Sequence, residues 1–399
     1  MTAAAQSNEH RRAGRHFLHI PGPSPIPDQI LASMAMPVID HRGPEFQKLG
    51  HRALAGIKTI FKTEQPVIIY PSSGTGAWEA ALVNTLSAGD RVLFYETGHF
   101  ASLWTKLAAK VGITADVIET DWRAGVDANV IEDRLRADTA GEIKAVCVVH
   151  NETSTGATSP IAEVRKAIDA VGHDALFMVD TISGLASADY QHDAWGVDVT
   201  VSGSQKGLML PSGLGFNALS ERAITASQSS DLEKSYWAWD DMLPANANGF
   251  FPYTPATNLL YGMVEAIDML HAEGLDNVFA RHLRHAKAAR VAVAHWGLEF
   301  QIQNDAHHSP VLTTVRMPDG HSADKFRQIV LEKFDMSLGA GLSKIADKVF
   351  RIGHLGDLND LQLMGALSGV EMGLGLAGVP HDRGGAQAAM AYLADTAVS

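Results

Sequence analysis

Three short segments of the sequence carry residue types that cofactor chemistry needs, and each follows a strand-like run. The first is Pro71-Ser72-Ser73-Gly74-Thr75-Gly76, which lies just before a helix-like stretch. Its glycines let backbone N–H groups approach an anion, its hydroxyls add donors, and the helix N-terminus adds a favourable dipole. The segment is therefore a candidate phosphate site, although hydroxyl residues in this position also act as ordinary helix caps.

The other two segments place a carboxylate and an amine at strand ends. Asp180 ends an apolar run, where it can pair with a positive ring nitrogen or a metal, or simply cap a turn. Lys206 follows the run 197–202 in a glycine- and serine-rich loop, from which its amine can project inward or into solvent. An anion loop, a strand-end aspartate and a lysine are together what pyridoxal 5'-phosphate (PLP) requires for its phosphate, ring nitrogen and aldehyde. The sequence therefore predicts PLP as cofactor, with Lys206 as its covalent anchor.

These loops need a scaffold that brings strand ends together. Between about residues 66 and 220, short β-branched runs alternate with helix-like stretches such as 76–86 and 101–111, which predicts a mainly parallel sheet with right-handed crossovers. In such a sheet, ligands bind beyond the carboxyl ends of the strands, where all three loops lie. The predicted strands cover residues 67–70, 91–95, 115–119, 143–150, 175–180 and 197–202.

The pattern changes after about Asn258. Two long helix-like stretches, 259–273 and 275–296, precede alternating segments at 298–303, 311–317 and 348–352. The predicted fold class is α/β: a large domain with a mainly parallel, helix-flanked sheet, and a smaller α+β C-terminal domain. A chain of 399 residues is long enough for two such cores.

Composition excludes several classes of function. The formal net charge is −13 and there is no basic stripe, so no nucleic-acid partner is expected. The single cysteine, Cys147, lies inside an apolar run, which leaves no disulfide and no thiolate metal cluster, and no metal site is predicted. No apolar segment approaches the roughly 18 to 20 residues of a membrane helix, and the start of the chain lacks a secretory core. We therefore expect no membrane association and a cytoplasmic location.

At these residues the chain resembles the class V, fold type I PLP-dependent aminotransferases, and within them the serine–glyoxylate and alanine–glyoxylate aminotransferase group. The similarity runs from about Phe17 to Ala377. It includes, in order, IPGPSPIP (20–27), DHRGPEF (40–46), SSGTGAWEAAL (72–82), HNETSTG (150–156), VDTISG (179–184), SGSQKG (202–207), YTPAT (253–257) and VFRIG (349–353). The resemblance implies an N-terminal segment (1–25) that contributes to the active site, a large PLP-binding domain (26–265) and a small C-terminal domain (266–399).

The resemblance also assigns residues to the cofactor phosphate. Ser73, Gly74 and Thr75 would hold it, with Gln205 nearby. Thr254 would reach the phosphate from the partner subunit of a homodimer with shared active sites. A higher oligomer is also compatible with this arrangement.

The cofactor ring has its own set of implied contacts. Phe100 lies where the family places an aromatic ring stacked on the pyridine, and relatives often have Trp there. Trp104, one turn further, is predicted to belong to the core. By resemblance, Ser154 hydrogen-bonds near the phenolic oxygen, Asp180 pairs with the ring nitrogen, and Lys206 forms the Schiff base.

The resemblance assigns fewer residues to substrate binding. Arg351 matches the family's carboxylate-binding residue, and a planar guanidinium suits that role because it holds a carboxylate by two parallel hydrogen bonds. Gly22 and Pro23 correspond to the segment that lines the substrate pocket. His41 and Arg42 lie in a loop that approaches the site, without an assigned role. The chain departs from the family at Gly43, where relatives often have serine.

The predicted activity is transfer of an amino group from a small amino acid, serine first, to glyoxylate by a ping-pong mechanism. Lys206 would move the Cα proton while Asp180 keeps the ring electron-poor. Alanine or aspartate as donor, pyruvate as acceptor, and a lyase or decarboxylase outcome all remain open.

Other classes fit the sequence less well. A nicotinamide-dependent dehydrogenase would explain the sheet, but the GxGxxG fingerprint is missing and Lys206 and Asp180 would have no role. A cysteine desulfurase needs a cysteine in a mobile loop, whereas Cys147 lies in a predicted strand. A PLP-binding regulator would need an added DNA-binding module, for which neither length nor charge leaves room.

Aromatic residues near the YTPAT motif add an argument for a dimer. The segment Tyr236-Trp237-Ala238-Trp239 and the pair Phe250-Phe251 lie in a loop-like stretch, where water contact would be costly. Aromatic side chains are enriched where subunits meet. We therefore expect them at a two-fold contact that brings both Thr254 hydroxyls to opposite sites.

Overall fold

The computed structural model of the protein describes residues 13–397. The first twelve residues of the predicted N-terminal segment lie outside this range, so the structure does not test that part of the prediction. In chain order, the strands are β1 (Phe17–His19), β2 (Val67–Tyr70), β3 (Arg91–Tyr95), β4 (Thr114–Ile118), β5 (Ile143–Val149), β6 (Asn151–Glu152), β7 (Ala157–Thr158), β8 (Leu176–Asp180), β9 (Val199–Gly203), β10 (Gly215–Leu219), β11 (Leu312–Arg316), β12 (Met336–Ala340) and β13 (Val349–Gly353).

Helices connect these strands throughout. They are α1 (Asp28–Met34), α2 (Pro44–Phe61), α3 (Gly74–Thr85), α4 (His99–Lys110), α5 (Ala128–Ala137), α6 (Ile161–Val171), α7 (Glu221–Ser227), α8 (Trp239–Ala247), α9 (Thr257–Glu273), α10 (Leu275–His295), α11 (Ala323–Phe334), α12 (Asp360–Leu376) and α13 (Gly385–Asp395). No helix within residues 13–397 is both long and apolar enough to cross a membrane.

A seven-stranded sheet with the order β2-β10-β9-β8-β5-β3-β4 forms the centre of the molecule. Its strands are parallel except β10, which runs antiparallel to both β2 and β9. Both faces of the sheet are covered, because one apolar core includes Phe46 and Phe177 and a second includes Trp104 and Met178. The predicted α/β class and the place of Trp104 in the core are thereby confirmed.

The sequence prediction missed five strands, among them the two-residue strands β6 and β7, and placed one segment wrongly. β10 reads GFNAL and β12 reads MSLGA, so neither has the β-branched residues that identify a strand, and β1 has only three residues. The predicted strand at 298–303 is wrong. That segment contributes only an isolated bridge between Phe300 and Val315, because its alternation reflects packing beside β11.

A second sheet with the order β1-β12-β13-β11 completes the C-terminal part of the chain. β13 is antiparallel to both of its neighbours, whereas β1 runs parallel to β12. Helices α10 to α13 cover this sheet around a core that includes Trp296, Phe326 and Phe350. The N-terminal segment is therefore fixed to the C-terminal sheet. The three domain boundaries stay a prediction.

The aromatic residues expected at a subunit contact are mostly used inside this chain. Trp239 is fully buried and donates to the Tyr70 hydroxyl, which removes it from any surface. Phe250 and Phe251 both pack against Phe46. The expectation that all of them cover a two-fold contact is wrong, since the core of the large sheet accommodates them.

Candidate active site

A cavity of about 270 Å³ lies beyond the carboxyl ends of β5, β8 and β9, beside the N-terminus of α3. Nine of the predicted site residues line it: Gly22, Pro23, Ser73, Gly74, Thr75, Phe100, Asp180, Gln205 and Lys206. Six lining residues carried no prediction: Trp78, Val149, Asn151, Thr153, Ile182 and Ser212. The loop before α3, the strand end at Asp180 and the loop that holds Lys206 therefore meet at one edge of the sheet, where a parallel sheet binds its ligands.

The N-terminus of α3 opens into this cavity without a cap. Ser73 is the N-cap residue, yet its side chain makes no capping hydrogen bond. Gly74 follows because a Cβ there would lie 2.3 Å from the Ile182 side chain. The first N–H groups of α3 are thus left for a ligand, and the helix dipole favours an anion.

Helix α4, the neighbour of α3, shows the opposite arrangement. The Glu152 carboxylate accepts hydrogen bonds from the backbone N–H groups of Phe100 and Ala101 at 3.3 and 3.1 Å. This buried glutamate thereby caps α4 and holds Phe100 at the cavity wall. The contrast with α4 makes the open end of α3 the natural anion site.

Gln205 contributes a second unsatisfied group. Its Oε1 atom is buried, and it has no hydrogen-bond partner among residues 13–397. An amide can present either its oxygen or its NH₂ group to a ligand. Because a buried polar atom without a partner is costly, a polar ligand in the cavity would remove this penalty.

Asp180 is held by two donors at the end of β8. Its Oδ1 atom accepts the Ile182 N–H at 2.7 Å, and its Oδ2 atom accepts the Trp78 indole N–H at 2.9 Å. Burial raises the pKa of Asp180 to about 7, against the effect of these two hydrogen bonds. A buried carboxylate with a raised pKa is prepared to accept a cationic partner, such as a protonated ring nitrogen.

Lys206 lies in the loop after β9, beneath the N-terminal segment. Its Nζ atom donates to the Pro21 carbonyl at 2.5 Å, and a Cβ at Gly22 would collide with the same amine. Ser24 fixes the loop from the other side, because its hydroxyl donates to the Lys206 carbonyl at 2.8 Å. Burial, reinforced by the positive charge of Arg351, lowers the pKa of Lys206 to about 7. An amine in this state can act as nucleophile and proton carrier near neutral pH.

Arg351 reaches the site from β13 of the second sheet. Its Nε atom donates to the Ala340 carbonyl at 2.8 Å, and Nη1 donates to the Thr153 carbonyl at 2.7 Å. The guanidinium is buried directly behind Thr153, which lines the cavity, and burial lowers its pKa to about 10. The structure therefore places Arg351 beside the cavity and not in its wall. Its role as carboxylate ligand stays a prediction.

Ser154 and Thr254 are predicted site residues that do not line this cavity. The Ser154 hydroxyl donates to Glu152 at 2.6 Å and accepts the His99 N–H at 2.9 Å, so both of these bonds stay within the protein. Thr254 is exposed and does not line the cavity of its own chain. The predicted contacts of both residues with the cofactor remain predictions.

The residues present fit PLP. The open α3 terminus and Gln205 suit its phosphate, Phe100 offers an aromatic face, Asp180 suits its ring nitrogen, and Lys206 suits its aldehyde. Among the residues that sequence reasoning missed are Trp78 and Glu152, which hold Asp180 and Phe100 in place. Both stood inside quoted motifs, but nothing in the local pattern showed which partners they would meet.

Comparison with known proteins agrees with this assembly. The profile of the family described as "Aminotransferase class-V" matches residues 18–349. The chain is 45% identical over 390 residues to a serine–glyoxylate aminotransferase of Methylorubrum extorquens, covering 96% of this chain and 97% of that one. It is 42% identical over 373 residues to an L-aspartate–glyoxylate aminotransferase of Paracoccus denitrificans, covering 93% and 94%. Among solved structures, a pyridoxamine–pyruvate aminotransferase from Mesorhizobium loti superimposes with a TM-score of 0.90 at 27% identity, covering 96% and 97%.

Proposed function

The chain belongs to the class-V aminotransferase family and is a PLP-dependent glyoxylate aminotransferase, and on this premise we propose that its amino donor is serine. Relatives of similar identity carry different donor names, serine in one case and aspartate in another. The choice between donors therefore depends on the chemistry of the cavity.

The proposal depends on which ionisable side chains lie at the cavity. Among the described residues that line it, the ionisable side chains are Asp180 and Lys206, with Arg351 directly behind Thr153. In our scheme, Asp180 and Lys206 serve the cofactor, which leaves Arg351 for the donor's α-carboxylate. A second carboxylate, as in aspartate, would enter the cavity without a cationic partner, and that is costly in a buried site.

Neutral polar groups in the same wall favour a hydroxyl on the donor. Thr153 donates its hydroxyl proton to Ser183 at 2.8 Å, so the Thr153 oxygen keeps lone pairs for an incoming donor. Ser212 adds a further hydroxyl to the wall. A cavity of about 270 Å³ must also contain the cofactor, which restricts the donor to a small amino acid. Serine meets both requirements, whereas alanine would leave the polar groups unused.

PLP, when bound, supplies an electron-poor ring that acidifies the Cα–H bond of the donor. In the proposed mechanism, the chain's own groups do the remaining work. The Lys206 amine takes the Cα proton and later returns a proton, which its lowered pKa of about 7 allows near neutral pH. Asp180 holds the positive ring nitrogen, and Arg351 orients the donor carboxylate. Because the amino group stays on the enzyme between two half-reactions, the kinetics should be ping-pong.

The donor assignment is tested by a panel of serine, alanine, aspartate and glycine against glyoxylate and pyruvate. We expect kcat/KM for serine with glyoxylate to exceed that of each other pair by at least about tenfold, because matched hydrogen bonds discriminate strongly. The matched variant is Thr153→Val, which should lower the ratio of serine to alanine activity and leave alanine activity nearly unchanged. A preference for aspartate in the wild-type protein would contradict the proposal.

We also propose that the active unit is a homodimer in which Thr254 completes the partner's phosphate site. Thr254 is exposed and lies outside its own cavity, while Ser73 and Thr75 are exposed at the cavity mouth. Tyr236, also exposed, stacks on Tyr253 next to Thr254 with ring centroids 4.4 Å apart. Of the aromatic residues near Thr254, this stacked pair is the part that is still available for a two-fold contact.

Refolding two inactive variants together tests the shared site. One variant is Lys206→Ala and the other is Thr254→Glu, whose charge and bulk would block the neighbouring phosphate. A mixture that contains heterodimers should regain activity, because each heterodimer has one site with both native residues. If such heterodimers stay inactive, Thr254 does not serve the partner's site.

A further inference from the structure

Trp78 is the residue of the cavity wall whose side chain donates a hydrogen bond to Asp180. Its indole N–H donates to Asp180 Oδ2 at 2.9 Å, across 102 positions of sequence. The backbone N–H of Ile182 occupies the other oxygen at 2.7 Å. Each carboxylate oxygen therefore receives one hydrogen bond from the protein and keeps a lone pair for another partner.

Aromatic packing prevents Trp78 from turning away. The Trp78 indole stacks on the Trp104 ring with centroids 5.9 Å apart and an interplanar angle of 13°. Trp104 is itself fixed, because Phe94 meets it edge to face at 5.9 Å. Trp78 is only 2% exposed, so its ring is held by the surrounding core on the side away from the cavity. The donor is thus preorganised toward Asp180.

The electrostatic surroundings explain why Asp180 needs such a donor. Burial, with a smaller contribution from the nearby Glu152 charge, raises the pKa of this carboxyl group to about 7. The hydrogen bonds from Ile182 and Trp78 and the charge of Lys206 act in the opposite direction. Because hydrogen bonds to a charged group are among the stronger ones, the loss of one would favour the neutral carboxyl.

From this geometry we propose that Trp78 is a positioning residue, which orients the Asp180 carboxylate and keeps it ionised so that the cofactor ring nitrogen stays protonated. The inference rests on the proposed function, since it requires Asp180 to face that nitrogen. Trp78 donates one N–H to Asp180, and the proposed effect on the reaction passes through the carboxylate. Loss of this donor should make the carboxylate more basic and shift the shared proton from the ring nitrogen to Asp180, with a smaller effect on cofactor binding.

The experiment measures the protonation of the ring nitrogen directly. Each holoenzyme is loaded with PLP labelled with ¹⁵N in the ring, and the ¹⁵N chemical shift is followed against pH. In Trp78→Phe, which keeps an aromatic ring but has no N–H, the less stabilised carboxylate should take the shared proton, and we expect the ratio of protonated to neutral ring nitrogen near neutral pH to fall by about 10- to 100-fold. The value of kcat should fall with it, while KM for serine changes little.

Trp104→Phe is the matched control. It removes the same atoms from the other ring of the stacked pair, and the Trp104 Nε1 atom has no hydrogen-bond partner among the described residues. We expect its ratio of protonated to neutral ring nitrogen to equal that of the wild-type protein. Equal shifts in both variants would overturn the proposal, because lost packing would then explain them.

A third variant keeps the test decisive if Trp78→Phe does not fold. Trp78→His loses more bulk than Trp78→Phe but retains a ring N–H at a similar reach, so the ratio of protonated to neutral ring nitrogen should stay at its wild-type value. A lowered value in Trp78→His would overturn the proposal. If the wild-type protein takes up no PLP, the proposed function fails. If it binds PLP but Trp78→Phe titrates like the wild-type protein, only the role of Trp78 fails.

Discussion

Two regions of the molecule bury ionisable side chains, and they do so in different ways. At the sheet edge, Asp180 and Lys206 line a cavity, and burial brings the pKa of each to about 7 from opposite directions. In the C-terminal part, burial lowers the pKa values of His282, His285 and His354. A search for shifted pKa values alone would select both regions.

Hydrogen bonding separates the two regions. His282 is bonded at both nitrogens, to the Val278 carbonyl at 2.7 Å and to the Gly356 N–H at 3.1 Å, and so ties α10 to the loop after β13. His285 contacts Asp360, and His354 contacts the hydroxyl of Thr313, although the Nδ1 atom of each has no hydrogen-bond partner among the described residues. The histidines therefore connect elements of the fold. At the cavity, by contrast, an uncapped helix end and a buried amide oxygen occur together with open space for a ligand.

The difference teaches that a shifted pKa indicates a functional site when a cavity and an uncapped helix end accompany it. Four predictions test this distinction, beginning with the largest effect. Three act on the cavity and should change catalysis. The fourth acts on the histidine region and should change stability alone.

Replacing Lys206 with Ala should abolish turnover. The variant loses the amine that anchors the cofactor and carries the Cα proton, while the phosphate site at α3 stays intact. We therefore expect weak, non-covalent PLP binding and no adduct that borohydride can reduce. Lys234→Ala, in the part-buried loop before α8, is the control and should keep both properties. Normal activity in Lys206→Ala would refute the central assignment.

Replacing Asp180 with Asn should lower kcat by at least about 10²-fold, because the shape is kept but the charge opposite the ring nitrogen is lost. Asp198→Asn is the matched control. Asp198 is also buried, but it lies at the opposite end of the sheet, just before β9, and accepts the Phe177 N–H and a charged hydrogen bond from Arg222. It should lose stability and keep kcat per folded site. Similar kcat losses in both variants would indicate a structural role for Asp180.

Replacing Arg351 with Lys should raise KM for serine and lower kcat/KM by about 10- to 100-fold, since a lysine cannot form two parallel hydrogen bonds to a carboxylate. The matched control is Arg316→Lys in the neighbouring strand β11, where the guanidinium bonds to Gln301 at 2.9 Å. Steady-state kinetics of both variants decide the question. An unchanged KM in Arg351→Lys would assign this arginine to the support of Thr153 only.

Particular residues show how far sequence reasoning reached. Asp180 and Lys206 could be predicted because β-branched runs identify the strands, and parallel strands bring their ends together. The hydrogen bond from Trp78 to Asp180 spans 102 positions, and that from Phe100 to Glu152 spans 52, so no local pattern indicated them. The hydrogen bond from Arg351 to the Thr153 carbonyl likewise depends on how the second sheet packs against the first. Long-range packing decides such contacts, and local periodicity does not encode it.

The fourth prediction concerns the pH dependence of stability and should leave catalysis unchanged. Burial is the main cause that lowers the pKa of His282 from 6.5 to about 3, and the charge of Arg281 adds to it. Between these two values the unfolded chain binds a proton that the folded chain does not. The stabilising contribution is thus complete above pH 6.5 and is lost as the pH falls toward 3.

The slope identifies the group responsible. One such histidine should make the free energy of unfolding fall by about 1.4 kcal/mol per pH unit below pH 6. His150 and His192, with pKa values lowered to about 4 by burial, add to the wild-type slope, so a variant is needed to isolate His282. In His282→Gln, urea unfolding between pH 6 and pH 4.5 should show a slope smaller by about that amount, and kcat at pH 8 should stay within about twofold of the wild-type value. Equal slopes would mean that His282 takes up its proton in the folded state, and a large loss of kcat would mean that the histidine region communicates with the cavity.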